Sequence, residues 1–142
     1  MIWALAGSMK HSAAWLGERL QPIALADAKR TAKLIAELDS NRFAVRDRAA
    51  RDLEKLGEAA VPALREAVAG NPSVEMRQRI EALVRRADSL SADRLRSLRS
   101  VEALEYSGTS DARAILEKLA GGLAEARLTR EAKASVERLR RR

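Results

Sequence analysis

Few residues of this chain could catalyse a reaction or bind a metal, and the first candidate is its only histidine. Any Ser-His-Asp relay would have to use His11, and a single imidazole excludes a metal site built from several histidines. The residue lies between Lys10 and Ser12, and this polar setting predicts an exposed side chain. The chain has no cysteine, which excludes disulfides and thiolate ligands. We therefore expect no metal site and no histidine-based catalysis.

Carboxylates are numerous, but the residues around them indicate solvated surface positions and not a role in proton transfer. Nearly all of the 20 Asp and Glu residues stand close to Arg or Lys, which is typical of solvated helix faces with i,i+4 pairs. Asp88 and Asp93 flank a serine-containing loop, where capping and solubility explain them better than an acid pair does. Gly121 and Gly122 lack the Lys-Ser/Thr of a phosphate-binding loop and indicate a turn. The sequence predicts a protein that is not an enzyme, with no catalytic residue and no cofactor.

The net charge of +7, with a pI near 10.5, raises the alternative of nucleic-acid binding. Residues 107–142 hold nine basic and five acidic side chains, an excess of +4. The arginines at 140–142 supply three of these four excess charges. Together with Arg138 they would form a basic C-terminal surface that could contact a nucleic-acid backbone. No aromatic residue is interleaved with them for base stacking. This function is therefore the alternative, and a protein partner is favoured.

The elements that must position these residues are helices. Hydrophobic residues make up 46% of the chain and aromatics only 3%, so the core must consist of Ala, Leu, Val and Ile. Three prolines and seven glycines leave long windows of helix-forming residues, and no segment alternates with period two. The fold class is predicted to be all-α, with about seven to eight helices in one domain over residues 1–142. The predicted helices before residue 70 cover residues 2–7, 11–20, 25–38 and 42–56, followed by a shorter helix that ends at 69. Those after it cover 76–88, 92–106, the segment from Thr109 or Ser110 to Gly121, and 126–140. Residues 39–41 are the predicted cap of the 42–56 helix, and Ser91 is the predicted cap of the 92–106 helix.

A two-helix unit recurs along the chain. At an offset of 83 residues, five positions of one helix are matched by five of another: Val45, Arg46, Ala49, Leu53 and Leu56 by Leu128, Thr129, Ala132, Val136 and Leu139. Shorter matches occur at an offset of 51 and at an offset of 31, where Met76 and Arg77 match Val45 and Arg46. The unequal offsets indicate degenerate repeats or, alternatively, chance similarity among amphipathic helices. A helical hairpin of this type cannot bury its apolar faces alone and must stack on neighbours. The clearest copy comprises Leu34, Leu38, Asp39, Val45, Arg46, Leu53, Leu56, Gly57, Ala60 and Leu64.

At these residues the chain resembles the bacterial HEAT-like repeat family, and it is also similar to the helical C-terminal region of large WD-repeat propeller proteins. The resemblance implies a right-handed α-solenoid of stacked, degenerate hairpins that acts as a protein-binding scaffold without catalytic residues. In the family, an acid in the turn and a base in the next helix join adjacent repeats, and Asp39 and Arg46 match them here. Thr129 stands where a later copy should have the arginine. The structural motif is carried by Asp39, Val45, Arg46, Leu53 and Gly57.

The leading interpretation is a non-enzymatic protein-protein interaction or scaffold module with an unknown protein partner. Its contact residues are expected on the shorter second helix of each pair, where mixed charges project outward on one face. The candidates are Arg65, Glu66, Arg113, Glu117 and Lys118.

The N-terminal segment holds both tryptophans, Trp3 and Trp15, which are predicted to pack against the first hairpin. Alternatively, residues 1–22 are the end of a truncated preceding repeat, and the two indoles form an apolar patch through which the protein self-associates. The longest early apolar run, residues 2–7, is shorter than the roughly 20 residues of a membrane span. We therefore expect no membrane contact and a cytoplasmic location.

Overall fold

A computed structural model describes the backbone of residues 2–89 and 91–142 and the side chains of residues 11–89 and 91–142. All regular structure in these ranges is helical, which confirms the predicted all-α class. A 3₁₀ turn, Gly57–Ala60, separates α3 from α4. The helices are α1 (Ile2–Arg19), α2 (Ala28–Glu37), α3 (Phe43–Leu56), α4 (Val61–Ala69), α5 (Val74–Asp88), α6 (Ala92–Ser107), α7 (Ser110–Ala120) and α8 (Arg127–Arg140).

Side-chain caps define several helix starts. Ser91 accepts a hydrogen bond from the backbone N–H of Arg94, and Thr109 accepts one from Ala112, so both predicted caps are confirmed. The predicted stop at Gly108 is also confirmed, because this residue ends α6 with a φ of 60° in the left-handed region. These boundaries depend on neighbouring residues alone, and for that reason the sequence could predict them.

Other boundaries differ from the prediction. The two helices expected over residues 2–7 and 11–20 form one continuous helix, α1, because the intervening residues include no proline and a lone glycine costs only about 1 kcal/mol. No side chain from residues 39–41 caps α3, which begins after Arg42. The α2 helix begins at Ala28 rather than at residue 25, because the Asp27 carboxylate accepts the N–H of Arg30 at 2.7 Å.

The described residues divide into two compact units. The central unit comprises Leu25–Ser89, and the terminal unit comprises residues 2–24 and 91–142. The single domain over residues 1–142 stays a prediction, and each unit is described by itself.

In the central unit, four helices form a closed ring around the core. The α2 helix packs against α3 and α4, and α5 packs against the same two helices. The apolar side of each helix faces the middle of the ring, where burial of these side chains supplies most of the stabilisation. The buried set is Leu34, Ile35, Leu38, Ala49, Leu53, Ala60, Leu64, Ile80 and Leu83.

In the terminal unit, α6, α7 and α8 pack against one another, and α1 packs against α7 and α6. The α7 and α8 helices are antiparallel, because Arg113 near the start of α7 reaches the Leu139 carbonyl near the end of α8. The buried set is Ala13, Leu20, Val101, Leu104, Ala112, Leu116, Leu119, Leu128, Ala132, Val136 and Leu139.

Candidate interaction surfaces

The five predicted contact residues occupy two helices in different units. Arg65 and Glu66 are exposed on α4 of the central unit, and Arg113, Glu117 and Lys118 are exposed on α7 of the terminal unit. The exposure agrees with the helical-wheel argument from the sequence. That all five share one face stays a prediction, and the two sets are treated separately.

On α7, two of the three candidates also stabilise the terminal unit. Arg113 Nη2 donates to the Leu139 carbonyl oxygen at 3.5 Å, where a cation near a helix C-terminus is favourable. Lys118 Nζ donates to Gln21 Oε1 at 3.3 Å and so connects α7 with the segment after α1. Both bonds are long, so the side chains remain available for other contacts at small cost.

On α4, Arg65 lines an open groove of about 290 Å³ between α4 and α5, which we name the α4–α5 groove. Val68 from α4 and Val84 from α5 form its apolar floor, and both side chains also pack against the central core. Glu81 and Arg85 complete the lining. The sequence pointed to Arg65 but missed the other four residues. A partial signal existed, since residues 81, 84 and 85 share one helix face.

All five motif residues of the clearest repeat copy belong to the central unit. Leu53 is buried, Val45 is half-buried, and Gly57 ends α3 with a φ of 56°, a conformation that favours glycine. Arg46 Nη1 donates to the Ser40 carbonyl oxygen at 2.7 Å, so the base of the motif binds the turn through its backbone. Asp39 has an exposed side chain, and its role in joining repeats stays a prediction.

The second copy has a related but longer arginine contact, which ends on a side-chain oxygen. Arg77 Nη2 donates to Asn71 Oδ1 at 3.4 Å. Arg77 and Asn71 stand 31 residues after Arg46 and Ser40, the offset found in the sequence, and in both copies the arginine reaches back six residues. A further arginine, Arg79, donates to the Leu38 carbonyl oxygen at 3.1 Å and joins α5 to the end of α2.

The third copy lacks the arginine. Thr129 is fully buried, and within the described ranges its Oγ1 is the buried side-chain oxygen that has no hydrogen-bond partner. Gly122 lies beside it, so close that an added Cβ would come within 2.8 Å of that Oγ1 and within 3.1 Å of backbone atoms of Ile23. The turn at Gly122 is therefore packed closely against Thr129 and the backbone of Ile23.

A charged cluster that the sequence did not predict lies between α6 and α8. Glu105 is only 9% exposed and binds Arg138 through both carboxylate oxygens, at 2.8 Å from Nε and 2.7 Å from Nη2. Ser135 Oγ donates to the same carboxylate at 2.7 Å, and Arg142 Nη2 lies 3.9 Å from it. The hydrogen bonds from Arg138 lower the pKa of Glu105 to about 2; burial opposes the shift and the Ser135 bond adds to it. The carboxylate stays ionised at neutral pH, which suits a structural ion pair better than proton transfer.

The N-terminal helix exposes two of the residues singled out in the sequence. His11 is exposed, as predicted. Trp15 is 53% exposed, and the Arg19 guanidinium lies over its indole ring, 4.2 Å from the ring centroid. The predicted packing of Trp15 against the first hairpin stays a prediction. A cation above an indole face is favourable in a solvated position, which explains how the ring tolerates water. The predicted packing of Trp3 lies outside the described side chains.

Within the described part of the chain, no group of three or more His, Cys, Asp or Glu side chains is placed to hold a metal ion. Over the same residues, no helix has the length and apolar character needed to cross a membrane. Comparison of the chain with protein-family models, with curated proteins and with solved structures found no match.

Proposed function

We propose that this protein is a non-enzymatic protein-protein interaction module, built as a right-handed α-solenoid of degenerate HEAT-like hairpins, and that it contacts its partner through α4 and α7. Two observations support the repeat architecture. Arg46 and Arg77, 31 residues apart, each donate to the residue six positions earlier, Arg46 to a backbone oxygen and Arg77 to a side-chain oxygen, and the helices that carry them pack against each other.

The α4–α5 groove is the observation that carries the interaction function. It combines an apolar floor of Val68 and Val84 with a charged rim that includes Arg65, one of the predicted contact residues. Apolar surface flanked by charged side chains is the usual composition of a binding site for another protein. The partner itself is unknown, and self-association through the N-terminal end is a separate proposal.

Capture of partners by the 142-residue chain tests this function. The first variant exchanges the α4 charges, Arg65→Glu with Glu66→Arg, and the second exchanges the α7 charges, Glu117→Lys with Lys118→Glu. A matched control, Arg48→Glu with Glu75→Arg, moves charge on exposed positions elsewhere in the central unit. We expect a partner that binds saturably, that crosslinks to α4 or α7, and that is lost in at least one exchanged variant but not in the control. Binding unaffected by both exchanges contradicts the proposal.

The alternative function is binding of a nucleic-acid backbone through the basic C-terminal surface. Part of that surface is engaged within the protein, since Arg138 and Arg142 contact Glu105, and Arg140 Nη1 lies 3.5 Å from Glu137 Oε1. Salt-sensitive binding of DNA that disappears when residues 140–142 are removed would favour this alternative. No binding at low salt would reject it.

A further inference from the structure

One pair of helices in the central unit has an open groove between its members. The α4 and α5 helices pack together, and their inner side faces α2 and α3 across the core. The α4–α5 groove between them opens to solvent. Half-buried Val68 and Val84 pack against the core and also form the apolar floor of the groove.

The shape of this groove fits a helix. Arg65 and Val68 stand three residues apart on α4, and Glu81, Val84 and Arg85 form an i, i+3, i+4 ridge on α5. Two such ridges enclose a furrow that accepts a row of side chains from a third helix, the same packing that joins helices inside proteins. The volume of about 290 Å³ is just below the range for small-molecule sites, which is about 300–1,000 Å³. An open furrow of this size suits a few aliphatic side chains.

The rim favours one sign of charge on that helix. The lining contains two arginines, Arg65 and Arg85, and one carboxylate, Glu81, so its formal charge is +1. Complementary charge at the edge of an interface raises the association rate and disfavours partners with like charge. A helix with carboxylates on both sides of its apolar stripe therefore matches this rim better than a helix with lysines there.

We propose that the α4–α5 groove binds an amphipathic α-helix of a partner protein, with apolar residues at i, i+3 or i+4, and i+7, flanked by Asp or Glu. This inference rests on the proposed interaction function and names the kind of partner at one of its two surfaces. The α7 candidates are not required for it.

Two synthetic helical peptides test the inference. Both carry the same leucine stripe, one with glutamates and the other with lysines beside it. Each peptide is titrated into the 142-residue chain, whose valine methyl groups are isotopically labelled. We expect the glutamate peptide to shift the methyl signals of Val68 and Val84 saturably and to bind about tenfold more tightly than the lysine peptide. High salt should reduce this difference.

Charge reversal at the rim supplies the second part of the test. Arg85→Glu is an exposed change that should reverse the preference between the two peptides, whereas Arg48→Glu, exposed on α3, should leave it unchanged. Circular dichroism checks that both variants keep their helix content. Equal binding of both peptides, or methyl shifts confined to other valines, would overturn the inference. If capture of a partner persists and depends only on α7 while neither peptide binds, the helix-binding inference fails and the interaction function stands.

Discussion

Arg138 binds Glu105 through both oxygens of its carboxylate and so joins the last turns of α8 to the end of α6. Glu105 is buried while half of the Arg138 side chain remains exposed, so the pair lies at the edge of the terminal core. Bidentate pairs of this geometry are the strong class of ion pair, because two parallel hydrogen bonds fix both groups. Removing the base would leave a buried carboxylate with less compensation, at a cost in stability.

The first prediction concerns the loss of stability at low pH. The pKa of Glu105 is lowered to about 2 in the folded protein, so its contribution to stability is complete above the ordinary pKa near 4.5 and is lost as the pH falls towards 2. We expect the free energy of unfolding to fall between about pH 5 and pH 2, by about 2 kcal/mol from this group once partial solvation of Arg138 is allowed for. Urea unfolding followed by circular dichroism at several pH values measures it.

Glu105→Gln should remove this part of the acid dependence and destabilise the protein at pH 7 by a similar amount, roughly 2 kcal/mol. Glu102→Gln, an exposed change on the same helix, is the matched control and should leave the acid response intact. If Glu105→Gln left the slope between pH 5 and pH 2 unchanged, the ion pair would not be the source of the acid sensitivity.

Local signals explain what the sequence could predict. The caps at Ser91 and Thr109 and the stop at Gly108 depend on residues within one turn, and all three are confirmed. The all-α class follows from composition and period in the same way. The predicted break after residue 7 was wrong, because one glycine lowers helix propensity too little to end a helix when no proline follows it.

Features that depend on how helices meet could not be predicted. Glu105 differs little from the other acids along the chain, and its burial is decided by the approach of Ser135 and Arg138 from α8. The α4–α5 groove needs two helices from the central unit, so a helical wheel for α4 alone indicated Arg65 but not Val84. The exposure of Trp15 likewise depends on which side of α1 the neighbouring helices cover.

The second prediction compares the two arginine contacts of the repeat. Arg46 donates to a backbone carbonyl at 2.7 Å, whereas Arg77 reaches a side-chain amide oxygen at 3.4 Å. Because the shorter bond orders the turn before α3, we expect Arg46→Ala to destabilise the protein by about 1 kcal/mol and Arg77→Ala by a few tenths. Thermal and urea unfolding measure both, with exposed Arg48→Ala as the control. Equal losses at 46 and 77 would contradict the ranking.

The third prediction concerns the turn between α7 and α8. An alanine at Gly122 would place its Cβ 2.8 Å from Thr129 Oγ1 and 3.1 Å from the backbone N and O of Ile23. The backbone neighbours cannot move aside cheaply, so Gly122→Ala should cost about 1–3 kcal/mol through overpacking. The adjacent Gly121→Ala is the control, because its Cβ would make an ordinary contact of 3.4 Å with the Lys118 carbonyl. Equal stability of the two variants in urea unfolding would show that the turn relaxes.

The fourth prediction uses two buried threonines that differ in hydrogen bonding. Thr31 Oγ1 donates to the Asp27 carbonyl oxygen at 2.7 Å, whereas Thr129 Oγ1 is buried without a partner. Valine has nearly the same shape and no hydroxyl, so Thr129→Val should stabilise the protein by up to about 1 kcal/mol, while Thr31→Val should destabilise it by about 1 kcal/mol. Both variants replace a buried threonine hydroxyl by a methyl group. A change in the free energy of unfolding that has opposite signs in the two variants therefore reports the hydrogen bond. Unfolding in urea measures it, and a loss of stability in both variants would mean that the Thr129 hydroxyl is satisfied in solution, as by a bound water.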